Sequence, residues 1–231
     1  MHIMEGFLPS PWWQIWLVLS APFVLMGFYS LRKLLRENRE ALPLLAVAGA
    51  FVFVLSSLKL PSVTGSCSHP TGTGLGSVLF GPFIASVLAL IVLVYQALFL
   101  AHGGISTLGA NLFSMGIAGP IVAYAIFITG RKIGMNEIIT IFFAAALANI
   151  VTYLVTSLQL ALAFPAEAGG VMASFMAFGA IFAVTQIPLA IIEGVVIALV
   201  FKYIIQLKPE ILIRLGVISQ ERVNRLREGW V

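Results

Sequence analysis

The chain has 231 residues, 60% of them hydrophobic and 10% charged, against about 45–50% and about 25% in ordinary globular domains. With a mean hydropathy of +1.06, it carries too few charges to cover a water-facing surface, which excludes a soluble enzyme. At roughly 20 apolar residues per helical crossing, there is room for about six to eight crossings and little else. No nucleotide-binding domain fits and no Walker-type Gly-Lys-Ser/Thr loop occurs, so the chain does not hydrolyse ATP itself.

Thirteen Lys and Arg oppose nine acidic residues, all of them Glu, for a net charge of +4. In a soluble protein that balance would suggest nucleic acid. Here the basic residues cluster at the ends of apolar runs and read as a topology signal, so no nucleic-acid partner is expected. A single Cys excludes an internal disulfide framework. The opening residues have no basic region before the first apolar run and no small-residue cleavage site after it, so the N-terminus is expected to be native and uncleaved.

In chain order, apolar runs at 12–30, 41–58, 82–101, 111–130, 137–162 and 172–205 are each predicted as transmembrane helices. Arg32, Lys33, Arg36 and Arg39 follow the first run, Arg131 and Lys132 the fourth, and Lys208, Arg214, Arg222, Arg225 and Arg227 mark the tail. With six crossings the loop at 131–132 would face outside, against the positive-inside rule. A further crossing at 71–81 brings both basic loops and the tail inside. At about 1.5 Å per residue that segment covers only about half of the roughly 30 Å hydrocarbon core, so its backbone must be satisfied by neighbouring helices.

The expected fold is therefore an all-α polytopic membrane protein with about seven transmembrane helices, one of them short. The N-terminus lies outside and the C-terminus in the cytoplasm. It forms a single membrane domain: an extracytoplasmic segment 1–11, a bundle 12–206 and a cytoplasmic tail 207–231. Residues 210–231 of that tail are expected as a helix. In this topology His2, His69 and His102, all the histidines of the chain, fall on the outer side.

The N-terminus carries the sharpest chemistry. The amine of Met1, the peptide nitrogen of His2 and the His2 imidazole can chelate one ion through fused five- and six-membered rings. A fourth nitrogen from His69 would complete a planar site of the kind suited to Ni(II) or Cu(II), and imidazole also suits Co(II). A disordered surface His at position 2 would look the same in sequence. His69 sits in Ser66-Cys67-Ser68-His69-Pro70-Thr71-Gly72, where hydroxyls such as Ser68 are candidates to fix the imidazole tautomer. Cys67 could supply a thiolate or simply fill apolar space. His102 and Asn111 are candidate supporting or access-path groups, and Glu5 could attract cations or hold the N-terminal segment. Glu193 interrupts an apolar run, a functional candidate by default, which could pair with Lys202 or face a partner; it is not counted as a ligand. Ala46 and Ala50 form a stripe of small residues that would allow close helix docking.

Met1-His2-Ile3-Met4-Glu5-Gly6-Phe7-Leu8-Pro9, the 66–76 loop with His69, and His102-Gly103-Gly104 with Leu108-Gly109-Ala110-Asn111 together resemble the CbiM/NikM family over essentially the whole chain. These are substrate-binding membrane subunits of energy-coupling-factor (ECF) importers for cobalt and nickel. The resemblance implies a metal held by Met1, His2 and His69, with Co2+ or Ni2+ as the substrate ion and no resident cofactor. It implies docking through Ala46 and Ala50 onto a transmembrane scaffold subunit served by two ATPase subunits, with a small auxiliary membrane subunit as an optional further partner. It also implies a multi-pass protein of a prokaryotic plasma membrane, importing cobalt for cobalamin biosynthesis. Met4-Glu5-Gly6 resembles the cobalt branch, whereas a planar nitrogen chelate favours nickel. The competing classes are a stand-alone divalent-metal channel or secondary carrier, and a membrane assembly subunit without substrate.

Overall fold

The computed structural model describes residues 1–62 and 65–228. It is nearly all helical. Six helical stretches are long and apolar enough to cross a membrane: Trp12–Glu37, Arg39–Ser57, Pro82–Phe99, Leu108–Lys132, Glu137–Ala163 and Gly170–Leu207. The helices are α1 (Trp12–Glu37), α2 (Leu42–Ser57), α3 (Thr73–Phe80), α4 (Pro82–Phe99), α5 (Leu108–Asn111), α6 (Gly119–Lys132), α7 (Glu137–Ala163), α8 (Gly170–Leu207), α9 (Pro209–Arg214) and α10 (Gln220–Glu228). A π-helical stretch, Leu112–Ala118, joins α5 to α6. Three short strands, β1 (His2–Ile3), β2 (Leu60–Pro61) and β3 (Ser66–Ser68), form a sheet in the order β1-β3-β2.

Local chemistry sets the boundaries. The side chain of Asn136 caps α7 by accepting from the N–H groups of Ile138 and Ile139 at 2.9 and 3.3 Å. Pro82 opens α4, where its missing N–H has no partner to lose. α1 runs to Glu37, beyond the apolar run, so Arg32, Lys33 and Arg36 lie on its last turns, beside the negative end of the helix dipole.

Small residues let the helices approach closely. α7 packs along α8, and its Ala144, Ala145 and Ala148 are buried at 0–1% exposure. A Cβ built on Gly74 of α3 would lie 3.1 Å from the Cα of Ala145, so only glycine fits without displacing α7. The outward faces of α1 and α8 expose large apolar side chains such as Val18, Leu25 and Val184, as a surface facing hydrocarbon does. These features make the chain a multi-pass membrane protein.

The stretch around 71–81 contains an eight-residue helix, α3, about 12 Å long. Its last residue, Phe80, joins Leu31, Leu34 and Leu35 of α1 in packing against the buried group Leu45, Ala48, Ile84 and Leu88. The chain from β3 leads into it and is buried throughout residues 66–72. The polar backbone of this irregular stretch is enclosed by protein.

The tail differs from the single helix expected over 210–231. α9 stops at a Schellman motif: Gly216, at φ +70°, donates to the Ile213 carbonyl, and Val217 donates to that of Leu212. The chain then turns back, so that Val217, Ile218 and Val223 enter the core against Phe127 and Phe201. Arg222 bonds Glu137 at 2.7 Å, tying α10 to the start of α7. Residues 229–231 of the expected helix lie outside the described residues.

Candidate metal centre

The site is assembled by the small sheet. Antiparallel pairing sets His2 opposite Cys67 and Ile3 opposite Ser66, while β2 sets Leu60 opposite Ser68. The N-terminal strand is thereby drawn into the bundle, and Met1, His2 and Ile3 are all 0% exposed. Asn111 holds it there. Its side-chain oxygen accepts from the Ile3 N–H at 2.7 Å and its amide donates to the Ile3 carbonyl at 2.9 Å, as a neighbouring strand would. The Thr107 hydroxyl adds a bond to the same carbonyl at 2.8 Å. Gly103, at φ +74°, permits the 102–104 turn to close on His2, whose Cδ2 would lie 3.2 Å from any Cβ there.

Four side chains converge. One ligand atom from each of His2, Cys67, His69 and His102 lies within 4.8 Å of the others. The His2 ring stacks on His69 at 4.4 Å between centroids and meets His102 edge-on at 4.3 Å. The Met1 amine is 3.3 Å from His69 Nδ1, and Cys67 Sγ is 3.1 Å from His102 Nε2. A metal with bonds of about 2.0–2.3 Å spaces its ligands roughly 3–4.5 Å apart, so this cluster is near ligating dimensions.

The tautomer of His69 follows from its partner. Nδ1 lies 2.7 Å from the Pro70 carbonyl, which only accepts, so Nδ1 carries the proton and Nε2 presents a lone pair. That Nε2 is buried without a hydrogen-bond partner, as are both ring nitrogens of His2 and Nδ1 of His102. Buried polar atoms are ordinarily satisfied, so several orphaned lone pairs facing one another indicate a ligand.

Electrostatics prepares these groups for a cation. Burial pushes the Met1 amine from 8.0 down to about 5, with Cys67 and Glu193 pulling it partly back up. Burial also takes His2 and His69 well below the usual imidazole range, and neighbouring imidazoles and the amine add to it. His102 is lowered to about 4 by burial, the amine and Lys59, while burial raises the Cys67 thiol. The amine and the three imidazoles are thereby neutral bases with lone pairs to offer, while the thiol keeps its proton until a metal displaces it.

The remaining sequence candidates take other places. His102, expected as a supporting or access group, is within the cluster itself. Ser68 does not fix the His69 tautomer; its hydroxyl is 2.8 Å from that of Thr185 on α8, and the Pro70 carbonyl takes the expected role. Glu5 is exposed; the Ser106 side chain, helped by the Ser106 N–H that donates to Glu5 at 3.1 Å, holds its carboxyl below the usual range. It fastens the 103–106 turn to the N-terminal strand and does not reach the cluster. Ala46 and Ala50 lie outside the cluster and line an exposed apolar groove of 520 Å³ between α1, α2 and α4. Sequence reading missed Thr107 as a clamp and Asn149 as a partner of Glu193; for Asn149, a polar side chain inside a long apolar run was the available signal.

Residues 2–211 match the family model described as "Cobalt uptake substrate-specific transmembrane region". The chain is similar to the putative cobalt transport protein CbiM 1 of Methanosphaerula palustris, 64% identical over 230 residues and covering 100% of each. It is 55% identical over 231 residues to a putative fused cobalt transport protein CbiMQ of Methanocorpusculum labreanum, covering 98% of this chain and 38% of that relative. A solved structure described as a truncated transition metal transporter superposes with a TM-score of 0.74 at 27% identity, covering 89% of this chain and 99% of that one. Met1 aside, the histidine cluster and the bundle that encloses it lie inside the matched region, and the chain belongs to the CbiM family of cobalt-uptake transmembrane proteins.

Proposed function

We propose that the chain is the substrate-specificity subunit of an ATP-driven ECF-type importer, binding Co2+ or Ni2+ outside the cell and delivering it across the plasma membrane of a prokaryote. The observation that carries this reading is the buried convergence of the Met1 amine, His2 and His69, with unpartnered nitrogens facing one another. The amine, the His2 amide and imidazole, and His69 Nε2 supply four nitrogens. Cys67 and His102 stand close enough to add further ligands, which suits the expanded coordination open to Co2+ better than a strictly planar Ni2+ site. Cobalt uptake for cobalamin synthesis is the corresponding role.

The topology that supports it has α3 and the extended chain before it as a short seventh pass, which sets the histidines outside and the basic helix ends inside. The partners are a transmembrane scaffold and two ATPase subunits, with the Ala46–Ala50 groove as the scaffold's docking surface. A relative whose name describes a fused protein fits a subunit that works beside another chain. Glu193 spends both carboxylate oxygens on hydrogen bonds, which disfavours a channel lined by acidic residues.

The test compares metal binding to the native chain with binding to a version carrying one Gly between a new initiator Met and Met1. Extension turns the Met1 amine into a peptide nitrogen and carries the new terminal amine away from its place beside His69. Affinity for Co2+ and Ni2+ should fall by more than about a hundredfold, the loss of a strong ligand being at least that of a supporting group. Equal affinities would mean that the amine is not a ligand.

A further inference from the structure

Glu193 is the ionisable side chain that the ligand set leaves unexplained. It lies within the 38-residue α8 and is 1% exposed, where a carboxylate without partners is expensive. Oε2 accepts from the Thr71 N–H at 2.7 Å and from the Asn149 amide at 2.6 Å. Oε1 accepts from the Thr71 hydroxyl at 2.6 Å and from the Gly72 N–H at 2.7 Å. Thr71 and Gly72 immediately precede α3, so the carboxylate also sits at the positive end of that helix.

The Thr71 N–H belongs to the same peptide group as the Pro70 carbonyl. That carbonyl accepts the Nδ1 proton of His69 at 2.7 Å. One planar peptide thus has Glu193 bonded to its N–H and His69 bonded to its C=O, and planarity leaves little play between the two. On the other side of His69, the Ser68 hydroxyl meets Thr185, also on α8, at 2.8 Å. His69 and Pro70 are strung between two attachments to one helix. The loop cannot settle inward either, since a Cβ at Gly72 would lie 2.9 Å from the Cα of Val52.

We propose that Glu193 is the positioning residue of the metal centre, acting on His69 through the Pro70–Thr71 peptide as a relayed form of the carboxylate–histidine pair found behind many metal ligands. Its charge polarises the peptide, which makes the Pro70 carbonyl a stronger acceptor and the His69 Nε2 a stronger donor to the ion. Its bonds to Thr71 and Gly72 fix where that lone pair points. The inference rests on His69 being a ligand.

Glu193→Gln tests it in the full-length protein. All four partners are donors, and an amide nitrogen in place of either oxygen would confront a backbone N–H, of Thr71 or of Gly72, with another donor. Co2+ and Ni2+ affinity should fall about 10–100-fold, as for other groups behind metal ligands, and the ligand-field absorption of the saturated protein should shift. Wild-type affinity in a folded variant overturns the proposal, as does weaker binding with an unchanged absorption band, which loss of structure alone would give. If Glu193→Gln does not fold, Asn149→Ala decides by the same two readouts, with a smaller fall expected and no change overturning it. His69→Ala, measured alongside, separates the premises: wild-type binding there removes the ligand assignment itself, whereas its loss with an unaffected Glu193→Gln removes only the relay.

Discussion

The two ends of the bundle are held together by different means. At the histidine end, buried polar groups are positioned by hydrogen bonds that span long stretches of sequence, such as Ile3 to Asn111 and Thr71 to Glu193. At the basic end, the tail packs Val217, Ile218 and Val223 into the apolar core, and its ion pairs lie nearer the surface, with Arg222 and Glu137 side chains 27% and 11% exposed. Apolar packing tolerates small shifts in position, whereas a hydrogen bond fails over a few tenths of an ångström. Substitutions should therefore be felt mainly as lost binding at the first end and as modestly lost stability at the second.

The contrast is broken most severely at Asn111. Replacing it by Leu leaves the Ile3 N–H without its side-chain partner in a buried strand, at about 1–3 kcal/mol, and leaves the Ile3 carbonyl to the Thr107 hydroxyl alone. Metal affinity should fall about 10–100-fold or more, measurable by calorimetry on the purified chain. Retained affinity would show that β1 is held by its pairing with β3 alone.

Acid sharpens the comparison next. Solvent-exposed amines hold their proton to about pH 8, whereas the Met1 amine does so only below about 5. Because the lowered group binds metal in its neutral form, its proton competes with the ion only as pH falls through about 5. A metal-affinity profile should steepen there and not near 7, where an ordinary amine would place it. Any dependence above that range belongs to the His2 amide proton and, where the thiol ligates, to that of Cys67. A break near pH 8 would mean that the amine is exposed to water.

Smaller effects separate the metals. Cys67→Ala removes a donor that Co2+ can use and planar Ni2+ cannot, so Co2+ affinity should drop several-fold more than Ni2+ affinity. Parallel losses would place Cys67 outside the coordination sphere. Smallest of all, Arg222→Ala at the basic end should leave metal binding unchanged and lower stability by about 1 kcal/mol, read as a shift in thermal unfolding. A change in affinity there would show that the two ends are energetically joined.

Much of this was legible in the residues. Six membrane helices follow from run length and hydropathy, and His2 and His69 stand out because a chelate at the second position has a definite geometry. Other parts were not legible. Gly216 could have signalled the break in the tail, but its effect depended on Val217 and Ile218 having a core to enter. Glu193 was visible as a charge in an apolar run, yet its partner Thr71 lies 122 residues away and carries no complementary charge to suggest the match. Neutral donors to a carboxylate leave no pattern in composition. The role of the Pro70 carbonyl in fixing His69 was equally hidden, since a backbone group has no letter in a sequence.

The π-helical stretch between α5 and α6 has a consequence for phase. At 3.6 residues per turn, one residue more or fewer rotates everything beyond it by roughly 100° about the helix axis. In the native chain Asn111 faces Ile3 while Gly119, on the far side of that stretch, lies so near α7 that an added Cβ would come within 2.7 Å of the Thr152 hydroxyl. A regular α-helix through Leu112–Ala118 could not keep both orientations, and the wider π turns absorb the difference. Deleting one residue there would restore a smoother rod and turn Asn111 away from the strand it holds. The local irregularity is a phase adjuster, letting a single span address the N-terminal strand at one height and α7 at another.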